Sequence, residues 1–320
     1  MHLSKAFLAA ATLLGSLAQV NGAIIPEKFK RATVCNGRAE FCDRSYANIT
    51  YLASHDSAFF SKDPLALART QEIDIPSQLQ FGARMLQAQA HTDPLDDDAL
   101  HFCHTSCFLF DGGLVSDYLK KVKTFMDANP NEVVTLLFTN GDGLSMNKVW
   151  KPAFVEAGID QIAFVPPTPG TPIKQSDWPT LGDMIASGKR VVVFMDAGAD
   201  DATDNVDFIM PEFQMIWEPP FSSTDPSFPC KVDRINGPLD TADHMYMINH
   251  NLNKEVLGID SILTSDPRDA ATTNGVTSIL ADANGCTSFG AGRAPAFVLL
   301  DFITRGEALK AVDILNGFSS

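Results

Sequence analysis

The sequence predicts a single-domain α/β protein in which eight parallel strands and their helices close into a (β/α)8 barrel of the TIM type, with some irregularity. Short β-branched or apolar runs alternate with longer amphipathic segments, the pattern of β/α units around a parallel sheet. The runs fall at 49–53, 84–90, 100–104, 133–138, 190–195, 213–217, 245–249 and 297–300, which is the number a closed barrel needs. Several end in a titratable or amide side chain, and barrel enzymes place their working groups at those strand ends.

The chain has 320 residues and opens with Lys5 ahead of a short apolar stretch, followed by the small residues Gly22 and Ala23. This reads as a secretory signal peptide over 1–22, too short to span a membrane. The dibasic pair Lys30-Arg31 marks 23–31 as a propeptide and leaves 32–320 for the barrel. Six cysteines in an exported chain are most simply three disulfides. Sequence alone does not fix their connectivity, but proximity favours Cys35 with Cys42, Cys103 with Cys107 and Cys230 with Cys286. No paired C-x2-C spacing suggests a zinc site. Asn48-Ile49-Thr50 is a glycosylation sequence at the entry to the first strand.

The clearest helix is 114–128, where Leu114, Tyr118, Val122, Phe125 and Met126 recur at helical spacing and Asn129-Pro130 ends the pattern. Segments 165–179 and 219–229 are dense in proline and read as loops over a rim. A net charge of −15 argues against a nucleic-acid partner and against adsorption to an acidic bilayer through basic residues. It fits a soluble extracellular protein.

The first run ends in Ser54-His55-Asp56-Ser57, and His104 follows the third inside a loop flanked by Cys103 and Cys107. Two imidazoles of ordinary pKa ~6.5 can act as general base and general acid at moderate pH. Asp56 can orient an imidazole. Asp301 closes the apolar run Phe297-Val298-Leu299-Leu300, and a carboxylate there needs a partner, which an imidazole across the rim would provide. On the second run, alternation puts Gln87, Gln89 and His91 on one face and Arg84 on the other, so Arg84 is read as structural. Asp196, Glu218, Asn249 and His250 end further runs. Asp196 and Glu218 can bind a cation or sugar hydroxyls, and they meet the two-carboxylate requirement of glycoside hydrolysis, without a supporting motif. Phe108, Phe110 and Phe221 are apolar loop residues, read first as buried under neighbouring loops and only second as transient membrane contacts.

Five segments occur in a telling order: Leu52-Ala53-Ser54-His55-Asp56-Ser57, Gly82-Ala83-Arg84-Met85-Leu86, Phe102-Cys103-His104-Thr105-Ser106-Cys107, Asn129-Pro130-Asn131-Glu132-Val133-Val134-Thr135-Leu136 and Pro295-Ala296-Phe297-Val298-Leu299-Leu300-Asp301-Phe302. In this order they resemble the PLC-like phosphodiesterases with a phosphatidylinositol-specific phospholipase C X-type barrel, in their secreted fungal branch. The resemblance spans nearly all of the mature chain. It implies phosphodiester cleavage in which His55 is the general base, held by Asp301, and His104 the general acid, supported by Asp56. In the inositol lipases the nucleophile is the substrate's own 2-hydroxyl and the product a cyclic phosphate; water would serve in a plain phosphodiesterase.

The chain also departs from that family. Calcium-dependent relatives bind the metal through acidic residues on the second strand and at the end of the fourth, and metal-free bacterial relatives use an arginine on the second strand. The matching positions here are Gln87, Gln89 and Thr139, with Asn140 next, and none carries charge. The phosphoryl oxygens thus lose the cation such chemistry relies on. The expected protein is a secreted phosphoric diester hydrolase or phospholipase C-like lyase acting on a phospholipid head group or related phosphodiester. No metal, cofactor or protein partner is expected. His55, His104, Asp56 and Asp301 are the catalytic set; Gln87, Gln89, Asn140, Asp196 and Glu218 bind substrate. The alternative is a catalytically weakened barrel that binds a polyol, glycan or lipid head group, with Gln87 and Gln89 donating hydrogen bonds.

Overall fold

In strand after strand, odd and even residues face different cores, and this parity decides which side chains reach the mouth of the molecule. The computed structural model describes residues 32–319 apart from 64, 67, 97, 98 and 256–262. The expected signal peptide (1–22) and propeptide (23–31) lie outside the described residues, which belong to one compact unit.

The elements follow in the order β1 (Tyr51–Ser54), α1 (Ile75–Phe81), β2 (Met85–Asp93), β3 (Ala99–Cys103), β4 (Asp111–Leu114), α2 (Val115–Ala128), β5 (Val134–Thr139), α3 (Lys151–Glu156), α4 (Leu181–Ser187) and β6 (Val191–Met195). Then come β7 (Ile209–Pro211), β8 (Ile216–Trp217), β9 (Met245–Asn249), β10 (Asn253–Glu255), β11 (Leu263–Ser265), α5 (Ala270–Thr273), α6 (Val276–Cys286), β12 (Phe297–Leu300) and α7 (Ala308–Leu315). Eight strands form a curled parallel sheet in the order β7-β6-β5-β2-β1-β12-β9-β8. The two ends, β7 and β8, share no ladder among the described residues and are joined by the short 3-10 turn Glu212–Gln214. The barrel is therefore irregular, as expected.

Two strands differ from expectation. The run 100–104 is not a barrel strand: β3 lies antiparallel to β2 and pairs on its other side with β4, forming a hairpin beyond the sheet. The connection from Asp93 to Ala99 is too short for a parallel crossover, which takes about a dozen residues or more. β7 supplies the eighth strand instead, and three residues are too few for a periodic signal. The run 213–217 is strand only at Ile216–Trp217.

Inside the barrel lie Tyr51, Ala53, Met85, Leu137, Val192, Phe194, Met210, Met247, Phe297 and Leu299. Their even or odd neighbours Leu52, Leu86, Leu136, Phe138, Val193, Ile248, Val298 and Leu300 face outward and pack with Tyr118, Leu119 and Val122 of α2 and with Trp150 and Phe154. Both faces are apolar because helices cover a parallel sheet on its outside and the barrel fills its inside. Helix α2 begins one residue later than expected, with Leu114 at its N-cap. The three bridges are Cys35–Cys42, Cys103–Cys107 and Cys230–Cys286, the pairing that proximity favours. Among the described residues no helix is long and apolar enough to cross a membrane.

The turn after β12 is closely packed. Gly306 has φ +74°, and a Cβ there would meet backbone atoms of Ala271 and Asn274 at 2.8 Å. Gly306→Ala is therefore expected to cost about 3 kcal/mol through combined backbone strain and overpacking. A lower urea midpoint with an unchanged slope is the measurement that checks it.

Candidate active site

Extending the inner-face parity past each strand's C-terminal end lists the mouth of the barrel. It gives His55 after β1, Gln87, Gln89 and His91 on β2, Thr139 on β5, Asp196 after β6, Glu212 after β7, Glu218 after β8, Asn249 and Asn251 from β9, and Asp301 after β12. All but Asp301 line one cavity of about 350 Å3, with Leu137, Met247 and Leu299 as its floor and Phe221 and Arg234 at its side.

His55 is held from behind, its Nδ1 lying 2.7 Å from Asp301 Oδ1 and 3.3 Å from Asn251 Nδ2. Its Nε2 faces Asp56 Oδ2 at 3.5 Å. The same Asp56 oxygen lies 3.4 Å from His104 Nε2, so one fully buried carboxylate stands between the two imidazoles. His104 comes from the β3–β4 hairpin, which folds over the extended end of β2. Cys103–Cys107 ties that loop, and His101 clamps the hairpin by facing Asp111 at 2.9 Å and Asp96 at 3.0 Å. The His104 ring stands edge-on against Phe59.

Three residues at these groups are left-handed: Asp56 (φ 45°) after His55, Thr105 (φ 62°) after His104 and Phe302 (φ 47°) after Asp301. Such backbone persists in non-glycine residues only where the surroundings hold it. Each of the three N–H groups is held. Asp56 donates to Gln87 Oε1 at 2.8 Å, Thr105 to Gln89 Oε1 at 3.1 Å, and Phe302 to the Thr70 carbonyl at 2.8 Å.

Gln87 and Gln89 are thus engaged with the protein itself. Gln89 also donates from Nε2 to Asp56 Oδ2 at 2.8 Å, so its amide bridges the two histidine-bearing turns. A carboxylate at 89 would accept from Thr105 but repel Asp56 unless a cation lay between them. A hard divalent ion takes about six or more oxygen ligands. Two committed amides, Thr139 and one shared carboxylate do not form such a donor set.

Burial disfavours charge on His55, but Asp56, Asp301 and Glu218 outweigh it and push the imidazole up to about 9. Asp56 Oδ1 and Asp301 Oδ2 are buried and have no hydrogen-bond partner among the described residues.

The far wall is acidic. Glu218 is ion-paired with Arg234 and accepts from Asn249 Nδ2 at 3.1 Å. Burial and the neighbouring Glu218 push Glu212 well above the usual carboxylate range. Burial also raises Asp196, whose Oδ1 accepts from Asn140 N–H at 2.7 Å.

Some expected site residues sit elsewhere, on the opposite parity. The Asn140 side chain does not reach the cavity: it binds Leu144 and the Ala197 carbonyl and accepts from Trp150 Nε1. His250 is fully buried on the helix side, between Asp282 at 2.7 Å and the Thr273 carbonyl at 2.8 Å. Arg84, read from the sequence as structural rather than as a site residue, pairs with Glu132 at 2.7 Å outside the barrel. His91 does line the cavity, facing Asp142 at 3.1 Å.

Sequence reasoning missed Glu212, Asn251 and Arg234. Glu212 ends a strand as Asp196 does, but β7 is too short for that signal to be read. Asn251 continues the β9 parity. Arg234 lies in a loop without periodicity and is brought in by its bridge to Glu218.

The PI-PLC X 1 family model matches residues 41–316. The chain is 43% identical over 288 residues to a PI-PLC X domain-containing protein 1 of Arthroderma benhamiae, covering 89% of this chain and 90% of that one. It is 42% identical over 280 residues to an uncharacterized secreted protein of the same organism, covering 85% of this chain and 61% of that one. Among solved structures, the phosphatidylinositol-specific phospholipase C of Listeria monocytogenes superposes with a TM-score of 0.52 at 16% identity, covering 87% of this chain and 96% of that one. A mutant of the Staphylococcus aureus enzyme gives a TM-score of 0.54 at 14% identity, covering 86% and 94%. These likenesses establish the fold, and the family match over nearly the whole described chain, with a relative 43% identical along 90% of its length, establishes that the chain belongs to the PI-PLC X domain family.

Proposed function

We propose that the protein is a secreted phosphoric diester hydrolase or phospholipase C-like lyase, with His55 as general base and His104 as general acid. The observation that carries this reading is the shared Asp56 oxygen, 3.5 Å from one imidazole Nε2 and 3.4 Å from the other, with Asp301 fixing the far nitrogen of His55. Paired imidazoles beside a polar cavity favour an enzyme over a binding protein.

In the reaction, neutral His55 Nε2 takes the proton of the attacking hydroxyl while its Nδ1–H donates to Asp301. The hydroxyl oxygen bonds to phosphorus as the bond to the leaving alkoxide breaks, and His104 Nε2–H gives that alkoxide its proton. Asp301 and Asp56 stabilise the imidazolium on His55 as it forms. A hydroxyl on the substrate itself yields a cyclic phosphate; water yields an open phosphate.

Three disulfides and the 42% identical relative named as secreted support export, as does the signal-like N-terminus. Asn48 is exposed on the 3-10 turn Tyr46–Asn48, at the N-terminal end of β1 and so away from the mouth. Treatment of the secreted protein with an N-glycosidase is expected to remove one glycan, absent in Asn48→Gln, with turnover unchanged. Phe108 and Phe221 are 78% and 57% exposed on loops beyond the strands' C-terminal ends, and they support transient apolar contact with a membrane, which suits a chain of net charge −15 better than electrostatic adsorption.

The test is hydrolysis of phosphatidylinositol and a panel of glycerophosphodiesters, with and without chelator. Chelator-insensitive turnover that is lost in variants of either histidine supports the reading. Turnover only with an added divalent ion overturns its metal independence. A folded protein inert on every substrate moves the reading to a head-group or polyol binder.

A further inference from the structure

The cavity poses an electrostatic problem. Around His55 stand the carboxyl groups of Asp56, Asp301, Asp196, Glu212 and Glu218, and a phosphodiester brings another negative charge. Gln87, Gln89 and Thr139 provide no positive charge. Among the described residues, Arg234 is the only arginine or lysine lining this cavity. Its guanidinium lies over the ring of Phe221, 4.5 Å from the centroid, and over that of Phe213, 5.1 Å away. Glu218 ties Nη2, and Glu218 is itself fixed by Asn249. The Arg234 side chain remains 32% exposed and lines the cavity.

Such a group is ordered before any ligand arrives, because stacking and an ion pair set its plane. A guanidinium held this way binds tetrahedral oxyanions better than it binds neutral hydroxyls. Burial raises the Asp196 carboxyl overall, and the charge of Arg234 pulls against that rise. Burial and the neighbouring Glu218 push Glu212 toward its neutral form, which lessens the negative charge Arg234 must offset.

We propose that Arg234 is the cation for the phosphoryl oxygens, approaching from the wall opposite Gln87 and Gln89, and that Glu218 is the residue positioning it. This rests on the phosphodiesterase reading above. The positive charge that β2 does not carry is then supplied across the barrel, by the loop that follows β8.

Two probes separate this proposal from the reading it rests on: inorganic phosphate and myo-inositol, each titrated by calorimetry into the full chain. Arg234→Gln is expected to weaken phosphate binding at least tenfold and to leave inositol binding within threefold. On the most active phosphodiester it is expected to lower kcat/KM at least a hundredfold, with Arg234→Lys between variant and wild type. Lys120→Gln, on the exposed face of α2, removes the same charge and serves as control. Phosphate affinity within threefold of wild type in Arg234→Gln overturns the proposal, as does a loss confined to inositol. Should Arg234→Gln fail to fold, Arg234→Lys decides: it keeps charge but loses the fork and its stacking, so unchanged phosphate affinity and turnover also overturn it. A wild-type protein without turnover removes the phosphodiesterase reading and leaves the phosphate titration to judge Arg234.

Discussion

Replacing His104 by glutamine is expected to lower kcat/KM for an alkyl phosphodiester by about 10²–10⁴, the usual range for removing a general acid or base. The loss should nearly vanish on a diester whose leaving group is a nitrophenolate, because that anion departs without a proton. His55→Gln is expected to lose a similar factor on both substrates, since the attacking hydroxyl must be deprotonated whatever leaves. The double variant should be little worse than the poorer single one, because the two groups serve one proton relay. Glutamine is preferable to alanine at both sites. His55 and His104 share the buried Asp56, and an apolar stub at either would remove one of its few polar neighbours. An equal loss in His104→Gln on both substrates would assign His104 to binding rather than to proton donation.

The parity of the barrel strands explains how much of this site the sequence exposes. The run Phe297 to Leu300 is apolar on both faces, as a strand between helices and barrel interior must be, so its ends and the carboxylate that follows stand out. The same holds for His55 and Asp196. Counting by twos from the inner residues also separates Gln87, Gln89 and Asn249 from Arg84, Asn140 and His250, and the structure follows that count. The Asn140 side chain does not line the cavity because its neighbour Thr139 holds the inner position and Asn140 the outer.

Other features are not local. His104 lies on a hairpin whose antiparallel course depends on how few residues join β2 and β3, and it reaches His55 only because β2 runs past the barrel. Gln87 and Gln89 look like ligands to a substrate by position, whereas their hydrogen bonds to Asp56 and Thr105 come from two turns with positive φ that no propensity signals. Arg234 depends on a two-residue strand and one isolated bridge. These are tertiary facts, and sequence patterns with a period of two or 3.6 residues carry no trace of them.

Asp301→Asn is the second variant expected to have a large effect, and its signature is a displaced pH profile. With His55 at about 9, the free enzyme carries an imidazolium at neutral pH. A base works only after losing that proton, so kcat/KM should rise with pH through a midpoint near 9. The substitution removes one of the charges that raise His55, and the midpoint should move down toward the ordinary imidazole value of ~6.5. The plateau should fall by about 10²–10⁴, because an amide neither stabilises the imidazolium nor selects the tautomer with hydrogen on Nδ1. Stability gives an independent readout. A histidine whose folded pKa is raised adds stability that is fully present below the unfolded value of ~6.5 and disappears as pH climbs through the folded value. The whole shift of His55 is worth about 3 kcal/mol and Asp301 supplies part of it, so the wild type should lose that part of its advantage over Asp301→Asn between roughly pH 6.5 and pH 9 in urea unfolding. A profile that falls rather than rises through the same midpoint would make His55 the proton donor and exchange the roles of the two histidines. An unmoved midpoint in Asp301→Asn would show that Asp56 and Glu218 alone set the charge on His55.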